Sequence, residues 1–203
     1  AMQSDNPTAA ILVIGDEILS GRTQDSNSHH LAGVLTSIGI DLREVRVVAD
    51  DHDAIVAALR ALDRTLGGAW DLVFTSGGIG PTHDDITADA VAAAFGVELR
   101  IDEDARAAMA SRWGALGVEV TPSRLRMARV PVGATLILNS VSAAPGFVIG
   151  RTHVMAGVPS VFRAMVEWLV PHLPRGRAPV SETIEVLRPE SDVADDLTRV
   201  ADA

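Results

Sequence analysis

The 203-residue sequence contains no cysteine, and this absence removes several kinds of chemistry at once. Disulfide bonds, a thiolate nucleophile and a structural zinc site built on cysteine are all excluded. Aromatic residues make up only 3% of the chain, and tyrosine is absent. The core must therefore be built from Val, Leu, Ile and Ala. A surface that stacks the bases of single-stranded nucleic acid is not expected, because such surfaces depend on aromatic side chains.

Long apolar runs and an excess of basic charge are also missing. No run approaches the roughly 20 residues that cross a bilayer, and residues 1–7 lack the basic and apolar regions of a signal peptide. We therefore expect a cytoplasmic protein with no membrane partner. The formal net charge is −10, opposite in sign to that of a general nucleic-acid binder. A small anionic ligand is still compatible, because backbone N–H groups or a metal can supply positive charge locally.

Short apolar runs alternate along the chain with segments of helical spacing. Residues 9–14 form a continuous apolar run, typical of a strand that is buried on both faces. Further strands are predicted at residues 42–48, 72–75 and 97–101, and helices at 27–39, 51–66, 85–95, 102–116 and 161–169. This alternation predicts βαβ units. The expected fold class is therefore α/β, a three-layer, doubly wound α/β/α domain with a mostly parallel sheet.

The later part of the chain adds a hairpin and a separate tail. Residues 117–145 are rich in Pro, Gly and Arg and are predicted to be irregular. Residues 147–149 and 153–155 predict a hairpin at the sheet edge. We place the domain at residues 8–173. Residues 174–203 are then a linker followed by a partial unit, with a strand at 181–187 and a helix at 191–201.

The most informative segment is residues 75–87, Thr-Ser-Gly-Gly-Ile-Gly-Pro-Thr-His-Asp-Asp-Ile-Thr, between the third predicted strand and a helix. Its glycines would let the backbone approach a ligand closely. A helix N-terminus behind them would offer free N–H groups and a positive dipole end to an anion. Asp84 and Asp85 beside that anion make sense if a divalent metal bridges them, or if one caps the helix. The alternative is a tight turn that binds no ligand.

Polar residues also follow the first strand, where ligands of such sheets bind. Asp16 and Glu17 have the hard oxygen donors that Mg²⁺ prefers, or else they cap a turn and face solvent. Asn27 could read a hydroxyl or a base edge, or cap the next helix.

Two further charged groups leave alternatives open. Residues 50–53, Asp-Asp-His-Asp, form either a metal cluster or an acidic helix N-terminus favoured by the helix dipole. Arg124, Arg126 and Arg129 stand out in an acidic chain, and their N–H forks suit either a phosphate or a salt-bridged surface. His83, inside residues 75–87, is a less favoured phosphate contact.

Residues 75–87 resemble the Gly-Gly-x-Gly-Pro-Thr-x-Asp-Asp-x-Thr signature of the molybdopterin-binding (molybdenum cofactor biosynthesis, MoaB/MogA-like) domain family. The CinA-like branch is the most similar, because residues 15–21 resemble its Gly-Asp-Glu motif and residues 25–28 its Asp-x-Asn-Ser element. Residues 126–134, Asn139 and residues 144–146 resemble later elements. One departure is visible: the family often has Pro-Gly-x-Pro where this chain has Ala156-Gly157-Val158-Pro159.

The resemblance implies a nucleotide or pterin phosphate as ligand, such as ADP-ribose, FAD or molybdopterin. It implies cleavage of a pyrophosphate bond with Mg²⁺, Mn²⁺ or Co²⁺; adenylylation or binding of molybdopterin, and a non-catalytic binding module, are the alternatives. It also implies a homo-oligomer, a dimer or a trimer. Carried over by position, it assigns catalysis to Asp84 and Asp85, with Asp84 preferred, and metal binding to Asp16, Glu17 and Asp84. The implied ligand contacts are Ser76, Gly77, Gly78, Gly80, Thr82, Thr87, Asn27, Gly157 and Pro159.

Overall fold

The computed structural model describes residues 5–183, 185 and 187–201. The strands are β1 (Thr8–Ile14), β2 (Asp41–Val48), β3 (Leu72–Ser76), β4 (Leu99–Ile101), β5 (Arg129–Pro131), β6 (Thr135–Ile137), β7 (Gly146–Ile149) and β8 (Thr152–Met155). The helices are α1 (Asp16–Leu19), α2 (Asn27–Ser37), α3 (His52–Leu62), α4 (Thr87–Phe95), α5 (Glu103–Ala115), α6 (Pro122–Leu125), α7 (Pro159–Leu169) and α8 (Glu190–Ala201). Short 3₁₀ turns lie at Arg64–Leu66, Arg126–Ala128 and Val170–His172.

Six of these strands form one sheet in the order β2-β1-β3-β8-β7-β6. Strands β2, β1, β3 and β8 are parallel to one another, whereas β7 runs antiparallel to β8 and β6 antiparallel to β7. Helices cover both faces of the sheet. The predicted class, a three-layer α/β fold with a mostly parallel sheet, is confirmed.

The predicted hairpin forms, but its place in the sheet was wrong. Strand β8 pairs with β3 in the sheet interior, and the edge is β6, which lies in the segment predicted to be irregular. A strand of three residues is too short to show a periodic pattern. Strand β4, predicted at residues 97–101, also lies outside the main sheet, because it pairs antiparallel with β5 in a two-stranded sheet.

The hydrophobic core occupies both faces of the sheet because β1 is apolar on both sides. Ile11 and Val13 pack with the side chains of α2 and α7 on one face. Leu12 and Ile14 pack with α3 and α4 on the other. Complete burial of each such side chain contributes about 1.5–3 kcal/mol. The central strand therefore anchors both layers and holds its carboxyl end, where the site begins, in a fixed position.

The C-terminal segment lies apart from this core. Helix α8 has no buried residue. No strand forms over the described residues of 181–187, and positions 184 and 186 of that predicted strand lie outside the described residues. None of the helices seen in the described ranges combines the length and the apolar character needed to cross a bilayer.

Candidate functional site

Three chain segments meet at the carboxyl ends of β1, β3 and β8, and glycine makes their close approach possible. Gly77 has a φ of 109°, and a Cβ atom there would lie 2.1 Å from the Ile14 carbonyl oxygen. A Cβ on Gly157 would lie 3.2 Å from the Gly77 Cα. The Gly77 N–H donates to the Met155 carbonyl at 3.2 Å. A side chain at Gly77 would therefore push the segments apart.

Asn27 joins these segments from the first turn of α2. Its Nδ2 donates to Ser76 Oγ at 2.8 Å and to the Gly157 carbonyl at 2.9 Å. The carbonyl can only accept, which fixes the orientation of the amide. Asn27 is 6% exposed, and its Oδ1 is buried without a hydrogen-bond partner in the described structure. A buried acceptor without a donor is costly, so this atom is poised to accept an N–H or O–H from a ligand.

The helix cap predicted as one role of Asn27 is supplied by another residue. Asp25 Oδ1 accepts from the backbone N–H groups of Asn27 and Ser28, each at 3.1 Å. The sequence interpretation missed Asp25, although an aspartate two residues ahead of a helix is a known capping signal. Its carboxylate satisfies the start of α2 and leaves the Asn27 side chain to cross to β3.

Several of the predicted ligand residues line one small pocket of about 50 Å³. The pocket lies beyond the ends of β1 and β3, the position expected for ligands of such sheets. Its lining includes Glu17, Asn27, Ser76, Gly77, Gly157 and Pro159, together with Thr23, Gln24 and Asp25. Residues that are far apart in the sequence are thus brought together at this point.

The loop after β3 differs from the prediction at its far end. Helix α4 begins at Thr87 rather than at residue 85, and its N-cap residue, Ile86, makes no side-chain cap. Asp85 instead accepts from Thr82, from the N–H at 2.8 Å and from Oγ1 at 2.6 Å. The predicted helix cap by Asp84 or Asp85 was therefore wrong, because Thr82 offers Asp85 two donors within the loop.

Two glycines of the loop have support roles. A Cβ on Gly80 would lie 2.6 Å from Asp85 Oδ2, so Gly80 makes room for the folded carboxylate. A Cβ on Gly78, where φ is 71°, would lie 2.0 Å from Thr87 Oγ1. Thr87 is completely buried, and its hydroxyl donates to the Gly77 carbonyl at 3.0 Å. The geometry gives the hydroxyl of Thr87 the task of pinning the turn.

Asp50 is linked to three other carboxylates, one of which, Glu17, lines the pocket. The N–H of Asp16 donates to Asp50 Oδ2 at 3.0 Å, and the N–H of Asp50 to Asp16 Oδ1 at 3.3 Å. Burial raises the pKa of Asp50, as do the charges of Asp16, Glu17 and Asp84, against a lowering by the Asp16 N–H. The charge of Asp84 thus reaches Asp50 from the loop after β3. We call Asp16, Glu17, Asp50 and Asp84 the acidic cluster.

The other residues of segment 50–53 form the acidic N-terminus of a helix, which was the alternative to a metal cluster. Asp51 caps α3 by accepting from the Ala54 N–H at 2.8 Å. The exposed Asp53 side chain, in the first turn of α3, pairs with His52. Only Asp50 turns toward the site.

The acidic cluster has the donor type that a divalent cation prefers, but its side chains are not arranged as a set of metal ligands. All of its donors are carboxylate oxygens, the ligands that Mg²⁺ and similar ions prefer. Neighbouring carboxylates also disfavour one another's ionised form unless a cation intervenes. In the part of the chain that the structure describes, no group of three His, Asp or Glu side chains is already arranged to hold a metal.

The three arginines of residues 124–129 differ in their surroundings. Arg129 forms a bidentate pair with Asp89, at 3.1 and 2.9 Å. Arg124 donates to the Glu119 carbonyl at 2.7 Å and lies over the Trp113 ring. The side chain of Arg126 has no ion pair or hydrogen bond to any described residue, and its Nε is buried. The salt-bridged alternative thus holds for Arg129 but not for Arg126.

The fold and the site define a doubly wound α/β domain with a small pocket at the carboxyl ends of its central strands. Residues 10–175 match the family described as "Probable molybdopterin binding domain", and the chain belongs to this family. The family identified from residues 75–87 is thereby confirmed.

Similar proteins place the chain near the CinA-like branch. A CinA-like protein of Anaeromyxobacter sp. (strain Fw109-5) is 40% identical over 189 residues, which are 89% of this chain and 45% of that protein. The chain therefore spans less than half the length of this relative. The crystal structure of CinA from Thermoplasma acidophilum is 37% identical, with a TM-score of 0.73, covering 83% of this chain and 99% of that one.

A more distant structure supports the fold alone. The molybdopterin biosynthesis enzyme MoaB from Thermus thermophilus is 24% identical, with a TM-score of 0.53, and the match covers 83% of this chain and 92% of that chain. The departure from the family pattern at Ala156 leaves the start of α7 intact, since Pro159 is its first residue. Unlike a proline, Ala156 has an N–H group, which points to Met165 Sδ at 3.5 Å.

Proposed function

We propose that the pocket at the ends of β1 and β3 binds a nucleotide or a pterin phosphate, and that the chain cleaves a pyrophosphate bond of the ADP-ribose or FAD type with a divalent cation. The observation that carries the proposal is the meeting of Asn27, Ser76 and the glycine turn with the acidic cluster. Asn27 offers a buried acceptor, its Oδ1, to a hydroxyl or base N–H of the ligand. The acidic cluster offers carboxylates that suit a cation beside the phosphate.

The residues divide the work by their positions. Asn27 and Ser76 orient the uncharged part of the ligand, and Gly77 lets its backbone approach. Asp16, Glu17, Asp50 and Asp84 would hold the cation, with Asp84 on the loop that borders the ligand. Bound there, a divalent cation would neutralise phosphate charge and lower the pKa of a water molecule. Asp85 acts through the loop, because its carboxylate is engaged by Thr82.

A second candidate is binding of molybdopterin without hydrolysis. One observation favours it: among the described residues the carboxylates are not yet arranged as metal ligands. The MoaB structure from Thermus thermophilus is described as that of a molybdopterin biosynthesis enzyme. Tight pterin binding together with no release of AMP would select this candidate.

The test is release of AMP from ADP-ribose, FAD or NAD in the presence of Mg²⁺, Mn²⁺ or Co²⁺, followed by chromatography. We expect AMP from the wild-type protein with at least one metal. In Asp84→Asn, kcat/KM should fall by at least the roughly 10- to 100-fold that loss of an outer-shell partner of a metal already costs.

Asp53→Asn is the matched control, because it removes the same charge from an exposed position of α3. We expect it to keep wild-type activity. Wild-type activity in both Asp84→Asn and Asp85→Asn would contradict the assignment of the site. Absence of AMP with every metal would contradict the proposed hydrolase activity. The dimer or trimer and the cytoplasmic location stay predictions.

A further inference from the structure

A second, larger depression lies on the far side of the loop that carries Asp84. It is an open cleft of about 580 Å³ between the loop and the segment that includes α6. It is lined by Pro81, Thr82, His83, Thr121, Ser123, Arg124 and Arg126. We call it the basic cleft, because its described lining contains three basic side chains and no carboxylate. In a chain of net charge −10, such a concentration of positive charge requires an explanation.

Arg126 is the arginine of the cleft whose guanidinium has no hydrogen-bond acceptor among the described residues. Its neighbours Arg124 and Arg129 are engaged by a carbonyl and by Asp89. Arg126 pairs with no carboxylate or carbonyl of the described residues, although its Nε is buried. A partly buried guanidinium without an acceptor is costly, whereas a phosphate would accept from its fork of N–H groups.

His83 is a weaker candidate for the main cation. A histidine side chain carries a positive charge only when it is protonated. The guanidinium of Arg126, in contrast, is always charged.

The loop that carries Asp84 also forms one wall of the basic cleft, through Pro81, Thr82 and His83. Arg126 also borders Gly78, Gly80 and Asp85 in a narrow gap beside this loop. The same loop therefore contributes Asp84 to the acidic cluster and lies beside the guanidinium of Arg126, which suits an anion.

We propose that the basic cleft binds a phosphate group of a small phosphorylated ligand, with Arg126 as its principal cation and Ser123 and His83 as further donors. This inference rests on the proposed function for the nature of the ligand, and it adds the residues that hold one of its phosphates. Arg126 acts in binding and takes no part in bond cleavage.

The experiment is a calorimetric titration with inorganic pyrophosphate in the absence of metal, at an ionic strength held constant with NaCl. Without metal the acidic cluster cannot hold the probe, so the heat reports the basic cleft. We expect binding by the wild-type protein, and in Arg126→Gln an affinity lowered at least about tenfold, the loss expected for one charge-assisted hydrogen bond. Arg126→Lys keeps the charge without the fork and should be intermediate.

The matched control is Arg100→Gln, which removes the same charge from an exposed position on β4. It should bind pyrophosphate as the wild type does. Absence of binding by the wild type, equal affinity in Arg126→Gln, or equal losses in Arg126→Gln and Arg100→Gln would each overturn the proposal. If Arg126→Gln lowers the affinity for pyrophosphate but the wild-type protein releases no AMP from any nucleotide, phosphate binding by the basic cleft is supported and the proposed hydrolase activity is refuted.

Discussion

At the scale of single residues, burial decides the chemistry of His153 on β8. This side chain is nearly buried and stacks on Phe74, with ring centroids 4.7 Å apart. Its Nδ1 lies 3.2 Å from the Val73 carbonyl and 3.1 Å from the Arg151 carbonyl. Burial lowers the pKa of His153, although these carbonyls and the charge of Asp63 act in the opposite direction. The imidazole is therefore a neutral part of the core.

This lowered pKa predicts a loss of stability on the acid side. Below the ordinary value of 6.5 the unfolded state binds a proton that the folded state does not, so the free energy of unfolding falls as pH falls. The slope from one such group is at most about 1.4 kcal/mol per pH unit. Urea unfolding at pH 7.5, 6.0 and 5.0 should show a steeper decline for the wild type than for His153→Gln. Parallel curves for the two proteins would contradict the assignment.

At the scale of secondary structure elements, Asp63 ties the end of α3 to the β7–β8 hairpin. Its carboxylate is fully buried. It accepts from the Thr65 N–H at 2.7 Å, the Arg151 N–H at 3.1 Å and the Thr152 hydroxyl at 2.6 Å. The bonds to Arg151 and Thr152 join residues that are 88 and 89 positions apart. A single side chain thus fixes the hairpin beside β3.

We expect Asp63→Ala to be strongly destabilising, because it leaves the buried Thr152 hydroxyl and two partly buried backbone N–H groups without their acceptor. Its cost should be roughly 3–5 kcal/mol in the free energy of unfolding, as for other disrupted buried charge networks. Asp102→Ala is the comparison, since Asp102 caps α5 through the Ala105 N–H alone, and its loss should cost about 1 kcal/mol. Denaturant unfolding of both variants checks this, and equal costs would show that the Asp63 network adds nothing.

Elements also show where prediction from sequence succeeded. Strand β1 was predictable because burial on both faces requires an unbroken apolar run, as in residues 9–14. Strand β6 was not, because its three residues are held by pairing with β7, and no local pattern encodes that partner. The start of α4 was misplaced because aspartate is a common N-cap residue, whereas the Asp85 carboxylate accepts from Thr82 within the loop.

At the scale of the whole molecule, the boundary at residue 173 stays a prediction, and contacts to the body of the domain continue a little beyond it. The Gly176 N–H donates to the Ile38 carbonyl at 3.0 Å, and the Arg177 N–H to Asn6 Oδ1 at 2.8 Å. After these residues the described chain is exposed, and α8 buries nothing.

A protein that ends at Pro179 should therefore unfold at the wild-type temperature, within about 2 °C, the shift that less than 1 kcal/mol produces in a chain of this size. A protein that ends at Leu173 also loses the three hydrogen bonds that Gly176 and Arg177 form with Ile38 and Asn6, and it should unfold about 2–4 °C lower. Calorimetry of the three chains decides this. A large drop for the protein ending at Pro179 would mean that the last residues contribute to the fold.

The sequence by itself determined the α/β class, the family and the loop at residues 75–87, because apolar runs and glycine spacing are local properties of the chain. Tertiary structure alone decided how the polar side chains are used. It turned Asp85 toward Thr82, brought Asp50 to Asp16, buried the Oδ1 of Asn27 and left Arg126 without a partner among the described residues. These outcomes depend on which donors and acceptors meet across distant segments, and residue type does not specify the partner.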